Sequence, residues 1–203
     1  MDADPFIEHV ETECKTELSR LGSSKSLYAE TGGEMAGETV LHAAAATATN
    51  AAEQFETWAS ESDQDVFTMA SEQTREHSVS LSAELDQFQS GDPPAVVSAM
   101  ADASNPAERL GATVGWSLVA ERKAIQSSGY FTGQADPETA SLFRSIGQDR
   151  EEIRAETLDA LVEYCSDSDW EVAKAAAVGT IIAAYEEYVV SLEALGMNPK
   201  PVC

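Results

Sequence analysis

Apolar residues recur along this chain at alternating spacings of three and four, the period of helices that bury one face. A first helix is predicted from about Pro5 to Leu21, with Ile7, Val10, Cys14, Leu18 and Leu21 on one side. Gly22-Ser23-Ser24-Lys25 ends it, and Thr31-Gly32-Gly33 is a second break. From about Glu38 to Ser60 the seam reads Leu41, Ala44, Ala48, Ala51, Phe55 and Trp58. From about Asp63 to Phe88 it reads Phe67, Ala70, Thr74, His77, Leu81, Leu85 and Phe88. Gly91-Asp92-Pro93-Pro94 stops that helix, and a linker runs to Asn105-Pro106, a helix-start signal. The next helix, to about Ser128, turns Leu110, Val114, Leu118, Glu121 and Ile125 inward. Asp136-Pro137-Glu138 opens another, with Phe143, Ile146, Arg150, Ile153, Thr157, Ala160 and Tyr164 along its seam. Ser166-Asp167-Ser168-Asp169 caps the last, which carries Trp170, Ala173, Ala177, Ile181, Ala184, Tyr188 and Leu192 and ends near Gly196.

Strand signals are nearly absent, so the fold class expected is all-α. No internal repeat of solenoid length is present. Two similar helix pairs, at about 40–88 and 106–164, predict an antiparallel four-helix bundle with an added helix at each end. The expected organisation is one helical domain: 1–36 an N-terminal helix and loop, 37–165 the bundle, 166–203 a C-terminal helix and tail. The added helices have apolar faces that need cover, on the bundle or in a dimer through the terminal helices.

Charge changes the picture next. Thirty-six acidic residues face 12 basic ones, a formal charge of -24 spread over the whole length. Self-repulsion of that size opposes compaction at low ionic strength and fades in molar salt. This composition fits a salt-loaded cytoplasm, and the thermal midpoint is expected to rise steeply between about 0.1 M and 2 M KCl, as the screening length falls from about 10 Å to under 3 Å. A midpoint that stays flat in a thermal melt over that range would refute the halophilic reading. No basic patch is available to displace counterions, so no nucleic-acid partner is expected. The run Ala175 to Tyr185 is too short to span a bilayer, and Met1-Asp2-Ala3-Asp4-Pro5 has no signal-peptide character; the protein is expected to be cytoplasmic without a membrane partner.

Candidate chemistry is sparse. Cys14, Cys165 and Cys203 are far apart and show no zinc spacing. Cys203 reads as a thiol on a disordered end. No Ser/His/Asp set, phosphate loop or dinucleotide motif can be assembled. Trp58, Trp116 and Trp170 read as packing residues, and His9 and His42 have no site around them. His77 reads as a core histidine bonded to Gln73 or Thr74. Arg150, set between apolar seam residues, reads either as the mark of an anion- or carboxylate-binding pocket inside the bundle or, ahead of that, as a cation paired with a buried carboxylate, with Glu121 the one named first and Glu84 or the Asp149–Glu152 acids as competitors.

Three short patterns resemble the rubrerythrin branch of the ferritin-like superfamily: Ala51-Ala52-Glu53-Gln54-Phe55-Glu56-Thr57-Trp58-Ala59, Ala70 to His77, and Phe143-Arg144-Ser145-Ile146. The resemblance covers roughly 40–165. It implies a bundle that holds two irons through carboxylates and Glu-x-x-His pairs, used in peroxide or oxygen chemistry. Placed by that resemblance, the ligand positions fall on Ala48, on Thr74 with His77, and on Arg150 with Ile153; Glu121 is the inward carboxylate on the third helix. Ala and Thr are not iron ligands, and a guanidinium repels dications. The expectation is a bundle without cofactor that serves as a binding or structural protein, a homo-oligomer rather than an enzyme. The alternative is an iron oxidoreductase with a displaced site built from Glu72, Glu76, His77 and Glu121. An unrelated all-helical regulator is a third reading.

Overall fold

A computed structural model describes residues 2–199. Among them the chain is all-helical, without strands: α1 (Ala3–Glu13), α2 (Lys15–Leu21), α3 (Ser24–Glu30), α4 (Gly37–Glu61), α5 (Asp65–Ser82), α6 (Ala95–Ala101), α7 (Pro106–Gly133), α8 (Pro137–Tyr164) and α9 (Asp169–Ala194). Cys203 lies outside the described residues.

Local chemistry sets the sharpest boundaries. Asn105 accepts from Glu108 N at 3.0 Å, Glu108 reaches back to Asn105 N at 3.4 Å, and Pro106 fills the first turn, so α7 starts in a full capping box. Asp136 accepts from Thr139 N at 3.1 Å, and Pro137 follows it into α8.

Elsewhere the helices depart from the pattern. The first predicted helix breaks at Cys14, whose backbone leaves the helical basin (φ -100, ψ 21), so that Leu18 and Leu21 follow a new axis into the core. A short helix, α3, fills the stretch between the two breaks. α5 stops at Ser82 rather than Phe88; the Ser82 hydroxyl donates to Val79 O at 3.1 Å and competes with the ladder. Phe88 instead meets His42 from beyond the helix end, ring centroids 5.4 Å apart. The linker before Asn105 contains α6, which buries Val96, Val97 and Met100. Ile125 and Tyr164, placed inward by spacing, are 57% and 42% exposed. At both, the true inward face has rotated onto neighbours: Ala124 and Leu161 take the core positions.

α4 packs on α5 and α7 on α8, as two hairpins; α5 meets α8, and α4 meets α7. α9 lies along α7, and α1, α2, α3 and α6 all rest on α9. The inner faces of the terminal helices are therefore covered within the chain, as where Phe6 meets Trp170 at 5.5 Å between ring centroids. Sandwiched between α8 and α9, α7 is buried without interruption from Leu110 to Val119.

The α7–α9 contact is unusually close. A methyl built on Gly111 would lie 2.7 Å from Ala173 Cα and nearer still to its carbonyl oxygen. One built on Gly115 would meet Ala177 O and, at 3.0 Å, Thr180 Cβ. Only hydrogen at these two positions lets the backbones approach so far. By length and composition α9 is apolar enough to cross a bilayer. In this fold Trp170, Ala173, Ala177, Ile181 and Tyr188 face the core, while Val172, Ile182 and Val190 face outward.

Candidate functional site

Arg150 enters the interior from the middle of α8 and is 3% exposed. Its Nη1 donates to Thr74 Oγ1 on α5 at 2.8 Å. Its guanidinium carbon stands 4.5 Å from the centroid of the Trp116 ring, on α7. A cation over an indole face in a dry setting is stabilised by about 2 kcal/mol. Among the described residues no carboxylate lies within ion-pair distance of Arg150, and Nε has no hydrogen-bond partner. Burial pulls its pKa down to about 9, with Asp149 opposing, so the side chain stays a cation at neutral pH.

The expected Glu121–Arg150 pair does not form. Glu121 Oε2 accepts from Arg154 Nη1 at 2.6 Å, one turn further along α8. Helix register decides this: Glu121 sits level with residue 154, while Trp116 and Thr74 are level with 150. No carboxylate is therefore stranded by loss of Arg150, contrary to the expectation from spacing.

His77, one turn beyond Thr74 on α5, is also buried. Its partner is neither Gln73 nor Thr74. Nε2 lies 2.7 Å from Asp149 Oδ2, Thr74 serves Arg150, and Gln73 donates to Glu152 at 3.0 Å. Burial first, then the Arg150 charge, lowers the His77 pKa to about 4 against the pull of Asp149. The ring is neutral at pH 7, and a carboxylate partner places its proton on Nε2. In the unfolded chain this ring titrates near the ordinary histidine value of about 6.5, so the unfolded state binds more protons from there down to about pH 4. Stability from this group is present above about pH 6.5 and lost as pH falls toward 4, by about 2 kcal/mol at pH 5. Urea unfolding of the protein and of His77→Phe at pH 7 and pH 5 checks this: the variant's loss across the interval should be smaller by that amount.

The remaining positions do not join the cluster. Ala48 and Ile153 are buried apolar positions of the interior. Glu72 and Glu76 are on the exposed side of α5. Among the described residues, no three His, Cys, Asp or Glu side chains converge as a metal-holding group. The Cys14 and Cys165 thiols are both pushed up to about 11 by burial, which leaves them protonated and poor nucleophiles.

Beside Arg150, between α4, α7 and α8, lies a cavity of about 60 Å³. Val40, Ala48, Leu81, Phe143 and Ile146 make its apolar wall, with Trp116 and Arg150 on the polar side. Lys123 and Glu30, an ion pair at 2.5 Å, also line it. The chemistry of this place is that of buried, unpartnered donors beside an apolar wall, with an ion pair also at the lining. Sequence pattern pointed to Arg150 and Thr74, offered Asp149 as a partner for Arg150 and not for His77, and read Trp116 as packing alone. Comparison of the chain with family models, with curated proteins and with solved structures finds no match to any of the three.

Proposed function

We propose that α4, α5, α7 and α8 form a ferritin-like bundle of the rubrerythrin type that lacks the di-iron ligands and acts as a non-catalytic binding protein, a homo-oligomer of a high-salt cytoplasm. The observation that carries this reading is the buried Arg150 guanidinium, hydrogen-bonded to Thr74 at the interior positions where the resemblance would place carboxylates. A permanent cation there raises the energy of any dication beside it. The two described thiols and the buried histidine support the same reading: both thiols are held protonated, and His77, its pKa lowered to about 4 by burial and the Arg150 charge, is a weak base. The oxidoreductase alternative would have to recruit Glu72 and Glu76 from the exposed side of α5, and Glu121 out of its pair with Arg154. Protein purified in molar KCl and loaded with ferrous iron, then desalted, is expected to retain no stoichiometric iron and to show no peroxidase activity. Two irons per chain by elemental analysis would overturn the proposal.

A further inference from the structure

We propose that the cavity between α4, α7 and α8 binds a short-chain monocarboxylate, with its carboxylate on the Arg150 guanidinium and its alkyl chain against Val40, Ala48, Leu81, Phe143 and Ile146. This deepens the binding reading above and rests on it.

The charge sets the ligand's head. A guanidinium has five N–H donors, and here only Nη1 has an acceptor within the described residues, a neutral hydroxyl. Trp116 Nε1, on the same side of the cavity, is a second buried donor without a partner. So the Arg150 and Trp116 end of the cavity holds buried donors without acceptors, and its positive charge is removed from solvent, since Arg150 is 3% exposed. One planar anion with two acceptor oxygens fits a guanidinium side by side. A dianion such as phosphate would bring a second charge, and the other cation at the lining, Lys123, is already paired with Glu30.

The walls set the tail. Apolar side chains on three helices surround the space, so a ligand that is all charge would leave them uncovered. The volume sets the length. At about 60 Å³, well below the roughly 150 Å³ of a cavity that takes benzene, the space admits only a short tail, and acetate to butyrate are the monocarboxylates to try. The Lys123–Glu30 ion pair, on α7 and α3, completes the lining.

Butyrate titrated into the full chain in 2 M KCl, followed by calorimetry, tests the assignment. The expected result is saturable binding with one butyrate per chain in the millimolar range, and none with 1-butanol, which has the tail without the charge. Arg150→Met should weaken butyrate binding at least about tenfold, the effect of losing a charged hydrogen-bonded contact. Ala48→Leu fills the apolar end and leaves Arg150 in place; it should abolish binding while thermal melting reports an intact fold. No saturable heat with butyrate, equal binding of 1-butanol, or undiminished binding by Arg150→Met would overturn the proposal. An absence of butyrate binding together with an absence of iron removes this ligand and leaves the non-catalytic reading standing. Stoichiometric iron removes that reading instead.

Discussion

Gly111→Ala is expected to destabilise the protein by about 3 kcal/mol or more, the upper range for overpacking, because the new methyl collides with backbone and not with a side chain that can swing away. It would lie 2.7 Å from both the Cα and the carbonyl carbon of Ala173. Relief requires α9 to move off α7, which opens the contacts of Trp170, Ala177 and Ile181 along the same face. Gly115→Ala, facing Ala177 O and Thr180, should act in the same direction. Helix propensity alone predicts the opposite sign, since Ala is favoured over Gly by about 1 kcal/mol inside a helix. Gly129 on α7 and Gly179 on α9 isolate that term, for a methyl at either meets nothing within 4 Å. Gly129→Ala and Gly179→Ala should therefore stabilise by about 0.5–1 kcal/mol. Denaturant midpoints of the four variants decide the matter; a neutral or stabilising Gly111→Ala would show that α7 and α9 do not meet this closely.

Arg150→Met should raise stability by about 1–4 kcal/mol, the gain seen when buried charges give way to apolar residues of similar size. The native side chain loses its hydration and recovers one hydrogen bond to Thr74 and one ring face from Trp116. No carboxylate is left unpaired by its removal, since Glu121 stays with Arg154 and Asp149 with His77. A methionine can occupy the same channel without a desolvation penalty. Chemical unfolding at pH 7 in high salt gives the sign directly. A loss of more than about 1 kcal/mol would mean that the guanidinium is a structural member of the core.

Where structure follows from neighbours in sequence, it was legible. The starts of α7 and α8 are written in Asn105-Pro106 and Asp136-Pro137, because capping is settled within one turn. All seven apolar positions assigned to the inner face of α9 are buried, from Trp170 to Leu192, and Arg150 is interior as its spacing implied. What could not be read depends on how helices slide past one another. Glu121 faces Arg154 because of the α7–α8 register, and no periodicity within either helix encodes that offset. α6 was hidden because seven residues hold too little of a period to stand out from a linker. α7 is buried on opposite sides over Gly111–Val119, which flattens the amphipathic signal that spacing arguments use. In the site, the identity of Arg150 and Thr74 was readable, whereas their joining through Trp116 and the capture of His77 by Asp149 needed three helices in place.

The central role of α9 also sets the order of events as the chain leaves the ribosome. Every helix that rests on it precedes it: α1, α2, α3, α6 and α7 are synthesised first. The Arg20–Tyr185 hydrogen bond spans 165 residues, and until the later partner emerges, Phe6, Val10 and Leu18 have no platform to cover them. The α4–α5 and α7–α8 hairpins can close from local contacts as they appear. The N-terminal helices have to wait for nearly the whole chain, exposed to chaperones and proteases for that interval. Assembly of the native fold therefore finishes at α1, α2 and α3, which precede the platform they need.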